Sequence, residues 1–213
     1  LPDAHATMVD LAPRIGVAWD VFDPDELRAA VSDRTKLILL NTPHNPTGKV
    51  FTTDEMAIIA EVALERDLIV VTDEVYEHLL FDGHSHMPLS TLPGMADRTL
   101  TISSGGKTFN TTGWKIGWMT GPEPLVTAAR TAKQFLTYVN GAPFQPAIAV
   151  GLALPDTYFE RLAAGLQTAR DHLVVGGGLD RGVLVEPGER EGPGRVALGL
   201  LHLEDVVRVV HRD

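Results

Sequence analysis

The fold class is decided by residues 37–74, LILLNTPHNPTGKVFTTDEMAIIAEVALERDLIVVTDE. This stretch opens with the apolar run Leu37 to Leu40 and closes with the apolar run Leu68 to Val71, and each run ends in polar residues. Short apolar runs bounded by turn residues are typical of strands buried in a sheet. Between the two predicted strands, the spacing of Thr52 and Glu55 predicts a capping box at the start of a helix. The stretch is therefore a strand-helix-strand unit.

Two further apolar runs, Leu100 to Ile102 and Ile116 to Met119, also end in polar or glycine-rich turns and predict two more strands. The helix inside the first unit carries apolar residues at helical spacing. Alternating strands and helices favour an α/β fold with a mainly parallel sheet covered by helices. Because ligands of such sheets collect beyond the carboxyl ends of the strands, we expect the functional residues in these turns.

The pattern changes toward the end of the chain. Helices are predicted from Pro124 to about Tyr138 and from Thr157 to Leu173. Residues 176–199 contain eight glycines and two prolines, which predicts a domain boundary or a partly missing domain. The segment Leu203 to Val210 is helix-like in its spacing. Since the chain begins with Leu1 and not with methionine, we expect it to be a fragment of a longer protein.

The composition argues against several classes of function. The net charge of -10 disfavours a general nucleic-acid binder, which needs clustered positive charge against phosphates. No apolar run approaches the roughly 20 residues that span a bilayer, and no segment resembles a secretory signal. We therefore expect a cytoplasmic protein without nucleic-acid or membrane partners. The absence of cysteine removes disulfides, thiol nucleophiles and thiolate-bound metals.

Two of the polar turns hold side chains that could carry chemistry. Asn45 lies in the proline-rich turn of residues 41–48, where an asparagine often does no more than close the loop. Asp73 follows a buried strand, and the commonest use of an aspartate there is to cap the next turn. The functional alternative gives Asp73 a protonated ring nitrogen to neutralise. These residues alone leave both explanations open.

A third turn, Ser103-Ser104-Gly105-Gly106, precedes Lys107. Its glycines let backbone amides approach an anion such as a phosphate. Partial burial near the strand end, together with the nearby cation Lys115, would favour the neutral and nucleophilic form of the Lys107 amine. Most lysines are merely solvated. A neighbouring group of three histidines, His78, His84 and His86, has irregular spacing in a turn-rich stretch, so no metal site is expected there.

The order of these segments resembles that of the class I/II aminotransferases, the fold type I family of pyridoxal phosphate enzymes. The motifs are Asn45-Pro46-Thr47-Gly48, Asp73-Glu74-Val75-Tyr76, Ser104-Gly105-Gly106-Lys107 and Gly113-Trp114-Lys115-Ile116-Gly117. The resemblance covers most of residues 20–175 and is closest to the kynurenine/glutamine transaminase branch with its bacterial succinyldiaminopimelate aminotransferase relatives. It implies a three-layer α/β/α fold with a mainly parallel sheet. Residues 1–150 would form a partial large, cofactor-binding domain, and residues 151–213 the interdomain helix with a partial or abbreviated small domain.

The resemblance also implies roles for single residues. Lys107 would hold pyridoxal 5'-phosphate as a Schiff base, the internal aldimine, and would move the substrate's alpha proton. Asp73 would keep the ring nitrogen protonated. Asn45 and Tyr76 would hydrogen-bond the phenolic oxygen of the ring.

Other positions match the ends of the cofactor and the substrate. Ser104 and Lys115 correspond to positions that bind the cofactor phosphate, and Lys115 stands where many members of the family carry arginine. Arg195 is the candidate for the substrate carboxylate, although an exposed arginine in a glycine-rich turn explains it equally well.

The resemblance implies a homodimeric aminotransferase of amino-acid metabolism, with an amino acid and a 2-oxo acid as substrates. Two alternatives remain. A carbon-sulfur beta-lyase could use the same scaffold, because both reactions pass through the same carbanion and differ in what leaves next. An aminotransferase-like domain could also serve as a nonenzymatic effector-binding module. Dependence of the reaction on a 2-oxo acid separates the transaminase from the lyase.

Overall fold

The computed structural model describes residues 8–10, 22–138, 141–177 and 207–211. Its strands are β1 (Met8–Asp10), β2 (Thr35–Asn41), β3 (Ile69–Asp73), β4 (Thr99–Ser104), β5 (Gly117–Thr120) and β6 (Val207–His211). Its α-helices are α1 (Pro24–Ala30), α2 (Thr53–Glu65), α3 (Gly105–Thr108), α4 (Glu123–Leu136), α5 (Gln145–Leu152) and α6 (Asp156–Gly177). Short 3-10 turns lie at Leu89–Thr91, Thr112–Trp114 and Ala142–Phe144. Within these ranges, no helix has the length and apolar character needed to cross a bilayer.

The described strands form one sheet in the order β1-β6-β2-β3-β4-β5. Its central strands β2, β3 and β4 are parallel, as the sequence predicts, whereas β5 runs antiparallel to β4 and β6 antiparallel to β2. The sheet is therefore mixed, with a parallel centre. In this register Asn41 pairs with Asp73, and Asp73 pairs with Ile102. The carboxyl ends of the three parallel strands consequently meet at one edge.

Helix α2 packs its apolar face on this parallel centre. Thr52 accepts a hydrogen bond from the backbone N–H of Glu55 at 3.2 Å, and the Glu55 carboxylate accepts one from the backbone N–H of Thr52 at 2.8 Å. The predicted capping box is thus confirmed. Burial of the α2 face and of the inner strands removes apolar surface from water and forms the core. Core members include Leu27, Ile38, Leu40, Met56, Ile59, Val62, Leu68, Val70, Leu89 and Met95.

The long helix α6 is fastened to the loop that follows β3. Arg170 contacts both carboxylate oxygens of Asp82, at 2.6 and 2.8 Å, and Gln167 accepts a hydrogen bond from the backbone N–H of Asp82 at 3.0 Å. Nearer the start of the helix, the ring of Phe159 stacks on His78 with 4.2 Å between centroids. The loop therefore bridges the sheet and α6.

The strands and helices predicted between Leu37 and Leu173 are confirmed, with boundary shifts of a few residues. The prediction of a helix-like segment from Leu203 to Val210 is wrong over its second half, because residues 207–210 belong to strand β6. That half is rich in valine, whose β-branched side chain favours a strand. Strand β1 was not predicted. Most of the glycine-rich stretch, residues 178–199, lies outside the described residues.

The capping box predicts the effect of Thr52→Ala on stability. Loss of the side-chain acceptor leaves one N–H at the start of α2 without its partner, which should lower the free energy of unfolding by about 1 kcal/mol. Urea unfolding measures the change. Thr53→Ala, one residue later and also exposed, is the control and should change stability by less. Equal effects of the two substitutions would contradict the role of the cap.

Candidate functional site

The carboxyl ends of β2 and β3 are joined by Asn41, the last residue of β2. Its Nδ2 donates a hydrogen bond to the backbone carbonyl oxygen of Asp73 at 3.0 Å, and the backbone N–H of Thr42 donates to the same oxygen at 3.0 Å. The carboxylate of the half-buried Asp73 accepts a hydrogen bond from the backbone N–H of Val75 at 3.3 Å. Asp73 therefore does cap its turn, but this bond uses only one of its carboxylate oxygens.

The proline-rich turn after β2 holds Asn45 on a well-bonded backbone. The Oδ1 of Asn41 accepts from the backbone N–H of Asn45 at 3.0 Å. The backbone N–H of His44 donates to the carbonyl of Lys49, and that of Gly48 donates to the carbonyl of His44, both at 2.8 Å. Gly48 has φ +76°, which glycine adopts without strain. The Asn45 side chain is exposed and hence accessible to a ligand.

Asn41 therefore has a positioning role that the sequence analysis missed. Its side-chain oxygen holds the turn that carries Asn45, and its side-chain nitrogen holds the backbone of Asp73. The available signal was an asparagine as the last residue of a predicted strand, directly before a proline-rich turn.

The segment after β3 meets the lysine-bearing helix α3. The Nζ of Lys107 lies 5.6 Å from the centroid of the Tyr76 ring, within the range of a cation-π contact. The backbone N–H of Glu74 donates to the carbonyl of Ile102 at 2.8 Å, so this segment is also tied to β4. Lys107 is exposed, and the partial burial expected for it is not found, because α3 is a single turn at the sheet edge.

Helix α3 is anchored by two threonines that the sequence analysis did not identify. Thr111 Oγ1 donates to the carbonyl of Gly105, and Thr112 Oγ1 donates to the carbonyl of Gly106, both at 3.0 Å. Gly105 also packs closely on α5, since a Cβ atom at this position would lie 2.6 Å from Cδ1 of Ile148. These contacts set the position of the turn that carries the lysine.

The two residues predicted to bind the cofactor phosphate, Ser104 and Lys115, lie near opposite ends of the segment 104–117. Ser104, the last residue of β4, pairs with Gly117 of β5, and the backbone N–H of Gly105 donates to the carbonyl of Ile116 at 3.1 Å. Lys115 is exposed and has φ +54°. The antiparallel pairing therefore brings the hydroxyl of Ser104 and the cation of Lys115 to the same end of the sheet as Lys107. A hydroxyl and two cationic side chains at this end of the sheet are suited to binding an anion.

The remaining candidates do not join this group. Arg195 lies outside the described residues. His86 pairs with Glu74, His78 stacks on Phe159, and His84 is exposed. In the part of the chain that the structure describes, no three His, Cys, Asp or Glu side chains are grouped to hold a metal ion.

His44, beside Asn45, is buried at 4 % exposure, and its Nδ1 lies 2.8 Å from Thr47 Oγ1. Burial lowers the pKa of His44 to about 4, because the charged imidazolium loses its hydration. His44 is therefore neutral near pH 7 and adds no charge beside Asn45.

Comparison with known proteins places this geometry in a family. Residues 14–179 match the sequence pattern of the family described as aminotransferase class I and II. The chain is 51% identical over 173 residues to a probable N-succinyldiaminopimelate aminotransferase DapC of Mycobacterium tuberculosis, which covers 81% of this chain and 43% of the relative. It is 43% identical over 173 residues to kynurenine–oxoglutarate transaminase 3 of Mus musculus, covering 76% of this chain and 38% of the relative.

Solved structures give the same result for the fold. The structure of N-succinyldiaminopimelate aminotransferase from Mycobacterium tuberculosis superposes with a TM-score of 0.71 at 53% identity, covering 73% of this chain and 40% of that one. YbdL of Escherichia coli, whose structure is reported with a methionine aminotransferase function, also gives a TM-score of 0.71, at 33% identity over 78% of this chain and 44% of that one. The chain thus spans less than half the length of these relatives.

The buried His44 predicts how stability depends on pH. In the unfolded chain a histidine takes up a proton near its ordinary pKa of 6.5, whereas the folded chain does so only near 4. Between these values the unfolded state binds more protons, so stability should fall as the pH is lowered from about 6.5 to about 4, by up to about 3 kcal/mol.

His44→Asn can still bond Thr47 and does not titrate, so it should flatten this part of the pH dependence. Urea unfolding between pH 4 and 7.5 measures the slope. His84→Asn, which replaces an exposed histidine, is the control and should keep the wild-type slope. An unchanged slope in His44→Asn would show that other groups cause the loss of stability.

Proposed function

The chain belongs to the class I and II aminotransferase family, and we propose that it transfers an amino group from an amino acid to a 2-oxo acid with pyridoxal 5'-phosphate as cofactor. The observation that carries this proposal is the position of the Lys107 amine. It lies over the Tyr76 ring, and Tyr76 follows Asp73 at the edge where β2, β3 and β4 end. The turn with Asn45 is hydrogen-bonded to the same edge through Asn41.

The donor set at this edge fits the cofactor group by group. The Asp73 carboxylate would pair with the protonated ring nitrogen. The amide of Asn45 and the phenol of Tyr76 would hydrogen-bond the ring's phenolic oxygen. The hydroxyl of Ser104 and the ammonium of Lys115 would hold the phosphate. Each side chain would thus meet a cofactor atom of matching charge or hydrogen-bonding type.

The exposed amine of Lys107 serves as the attachment point and as the proton carrier. When bound, pyridoxal phosphate supplies an aldehyde for attachment and a ring that accepts the electrons of a carbanion. At rest, Lys107 Nζ would hold the cofactor covalently through its aldehyde carbon, whose oxygen leaves as water. Once an amino substrate has taken its place, the freed amine would be positioned to take the alpha proton of that substrate and to hold it for transfer. One residue would thus perform both tasks.

The larger assembly is also part of this proposal. Residues 1–150 would contribute part of a large domain, and residues 151–213 the interdomain helix with part of a small domain. Exposed apolar side chains support a homodimer, since contiguous exposed apolar surface is typical of interfaces. In α4 and just beyond it these are Phe135, Leu136 and Tyr138, which are 77–83% exposed. Amino-acid metabolism in the cytoplasm is the setting that we propose.

Lys107 is tested by chemical fixation. Borohydride reduction of the protein mixed with pyridoxal phosphate should leave the cofactor on Lys107, where peptide mass mapping would locate it. Lys107→Arg should take up none and lose turnover, since arginine stays protonated and is not nucleophilic. Lys36→Arg, at an exposed site near the start of β2, is the matched control and should be labelled at Lys107 like the wild type. Labelling at other lysines only would refute the proposal.

The same preparation separates the two possible reactions. A transaminase consumes a 2-oxo acid in step with the amino donor. A carbon-sulfur beta-lyase would instead release pyruvate and ammonia from a cysteine thioether without any 2-oxo acid. Turnover that depends on the 2-oxo acid supports the proposal, whereas turnover without it favours the lyase. Cofactor attachment without turnover would favour the effector-binding module.

Asp73 is tested by Asp73→Asn, which keeps the shape of the side chain and removes its charge. Without a carboxylate to stabilise the positive ring nitrogen, kcat should fall by about 10²- to 10³-fold. Borohydride should still fix the cofactor on Lys107, because attachment uses a different group. Asp97→Asn, at an exposed site, should leave kcat unchanged. A fall in kcat below threefold for Asp73→Asn would remove Asp73 from the reaction.

A further inference from the structure

A buried carboxylate that the proposed reaction does not use lies directly beside Asp73. Glu74 is 1 % exposed, and burial of an unpaired carboxylate is costly. Its Oε1 accepts a hydrogen bond from Thr72 Oγ1 at 2.7 Å, and its Oε2 lies 2.7 Å from Nε2 of His86. The side chain of His86 is itself only 8 % exposed. A carboxylate oxygen accepts hydrogen bonds, so this contact takes the His86 tautomer that carries its proton on Nε2.

These contacts hold the side of the strand end that lies opposite to the Asp73 side chain. Thr72 and Glu74 share one side of the strand end, because their side chains are hydrogen-bonded. Side chains alternate along a strand, so Asp73 lies on the other side. The orientation of Asp73 therefore depends on how firmly its two neighbours are held.

His86 connects this turn to a loop with its own anchors. Asp82 of the loop binds Arg170 of α6, and His78 stacks on Phe159 of the same helix. These contacts fix the loop on α6. The bond between His86 and Glu74, 12 residues earlier in the chain, joins the loop to the end of β3. The same segment is also bonded to β4, because the Glu77 carboxylate accepts a hydrogen bond from Ser103 Oγ at 2.7 Å.

We propose that Glu74 and His86 are a positioning pair: their buried hydrogen bond holds the segment 73–77, so that Asp73 and Tyr76 face the cofactor in one orientation. The pair does not touch the reacting atoms. It acts through the backbone on either side of Glu74, whose N–H and carbonyl are both bonded, to Ile102 and to the N–H of Glu77. The part of this inference that concerns the cofactor rests on the proposed function.

The test compares substitutions at two histidines of the same loop. His86→Phe keeps an aromatic ring but removes the donor and leaves Glu74 buried without it. His86→Gln places an amide N–H near the position of Nε2 and should rescue. His84→Phe, at an exposed position two residues earlier, is the matched control. Amide hydrogen exchange of residues 73–77 in the cofactor-free protein should be about tenfold faster in His86→Phe only.

The cofactor gives a second readout on the same variants. The Kd for pyridoxal phosphate should rise about tenfold in His86→Phe, the equivalent of losing one good hydrogen bond. The visible circular dichroism of the saturated protein should also change, because it reports the orientation in which the cofactor is held. His86→Gln and His84→Phe should match the wild type in both measurements. A purely structural role would lower the unfolding temperature and leave the saturated spectrum unchanged.

The outcomes separate the positioning pair from the proposed function. Unchanged exchange of residues 73–77 in His86→Phe, or equal effects of His86→Phe and His84→Phe, would overturn the pair. A wild-type protein that binds no pyridoxal phosphate would overturn the proposed function, whereas the exchange measurement would still decide the pair. Should His86→Phe not fold, Glu74→Met replaces it, because it keeps a similar side-chain volume and removes the carboxylate that binds His86. It should show faster exchange of the same amides.

Discussion

The carbonyl oxygen of Asp73 accepts hydrogen bonds from both the backbone of Thr42 and the side chain of Asn41. These bonds close the gap between two parallel strands at the point where regular pairing ends. The side-chain oxygen of Asn41 accepts a hydrogen bond from the backbone of Asn45 and so holds the turn that carries it. Tyr76, whose ring contacts Lys107, follows three residues after Asp73. A shift of this one carbonyl would therefore move groups on three separate strand ends. In open α/β sheets, ligands bind beyond the carboxyl ends of the strands, and this carbonyl holds two of those ends together.

The acidic residues at the end of β3 and just after it show how burial assigns different tasks to like side chains. Glu74 is enclosed and bonded on both oxygens, and Glu77 is bonded to a serine of the next strand. Asp73 differs from both glutamates. Its backbone carbonyl is bonded to β2, and its half-buried side chain lies at the edge of the sheet. Two carboxylates thus serve the scaffold, and the third remains available for a cation. The sequence Asp-Glu-Val-Tyr-Glu places all three within five residues.

Residue patterns predict the central strands, because each apolar run ends in a polar turn, and they predict the start of α2, because a capping box is a local signal. They also predict Asn45, Asp73, Tyr76 and Lys107 through the order of the motifs. The bond from Asn41 to the Asp73 backbone and the bond between His86 and Glu74 could not be predicted, since these partners lie 32 and 12 residues apart and meet only in the completed fold. Strand β6 pairs with β1 and β2 across nearly the whole chain. Local spacing holds no information on such a pairing.

The close approach of Gly105 to Ile148 ties the lysine-bearing turn to a helix more than 40 residues later. A methyl group at position 105 fits only where the isoleucine turns away or is replaced by a shorter side chain. Across homologous chains, the residue sizes at these two positions should therefore vary together, with bulk gained at one offset by bulk lost at the other. Close packing against α5 thus constrains evolutionary change near Lys107.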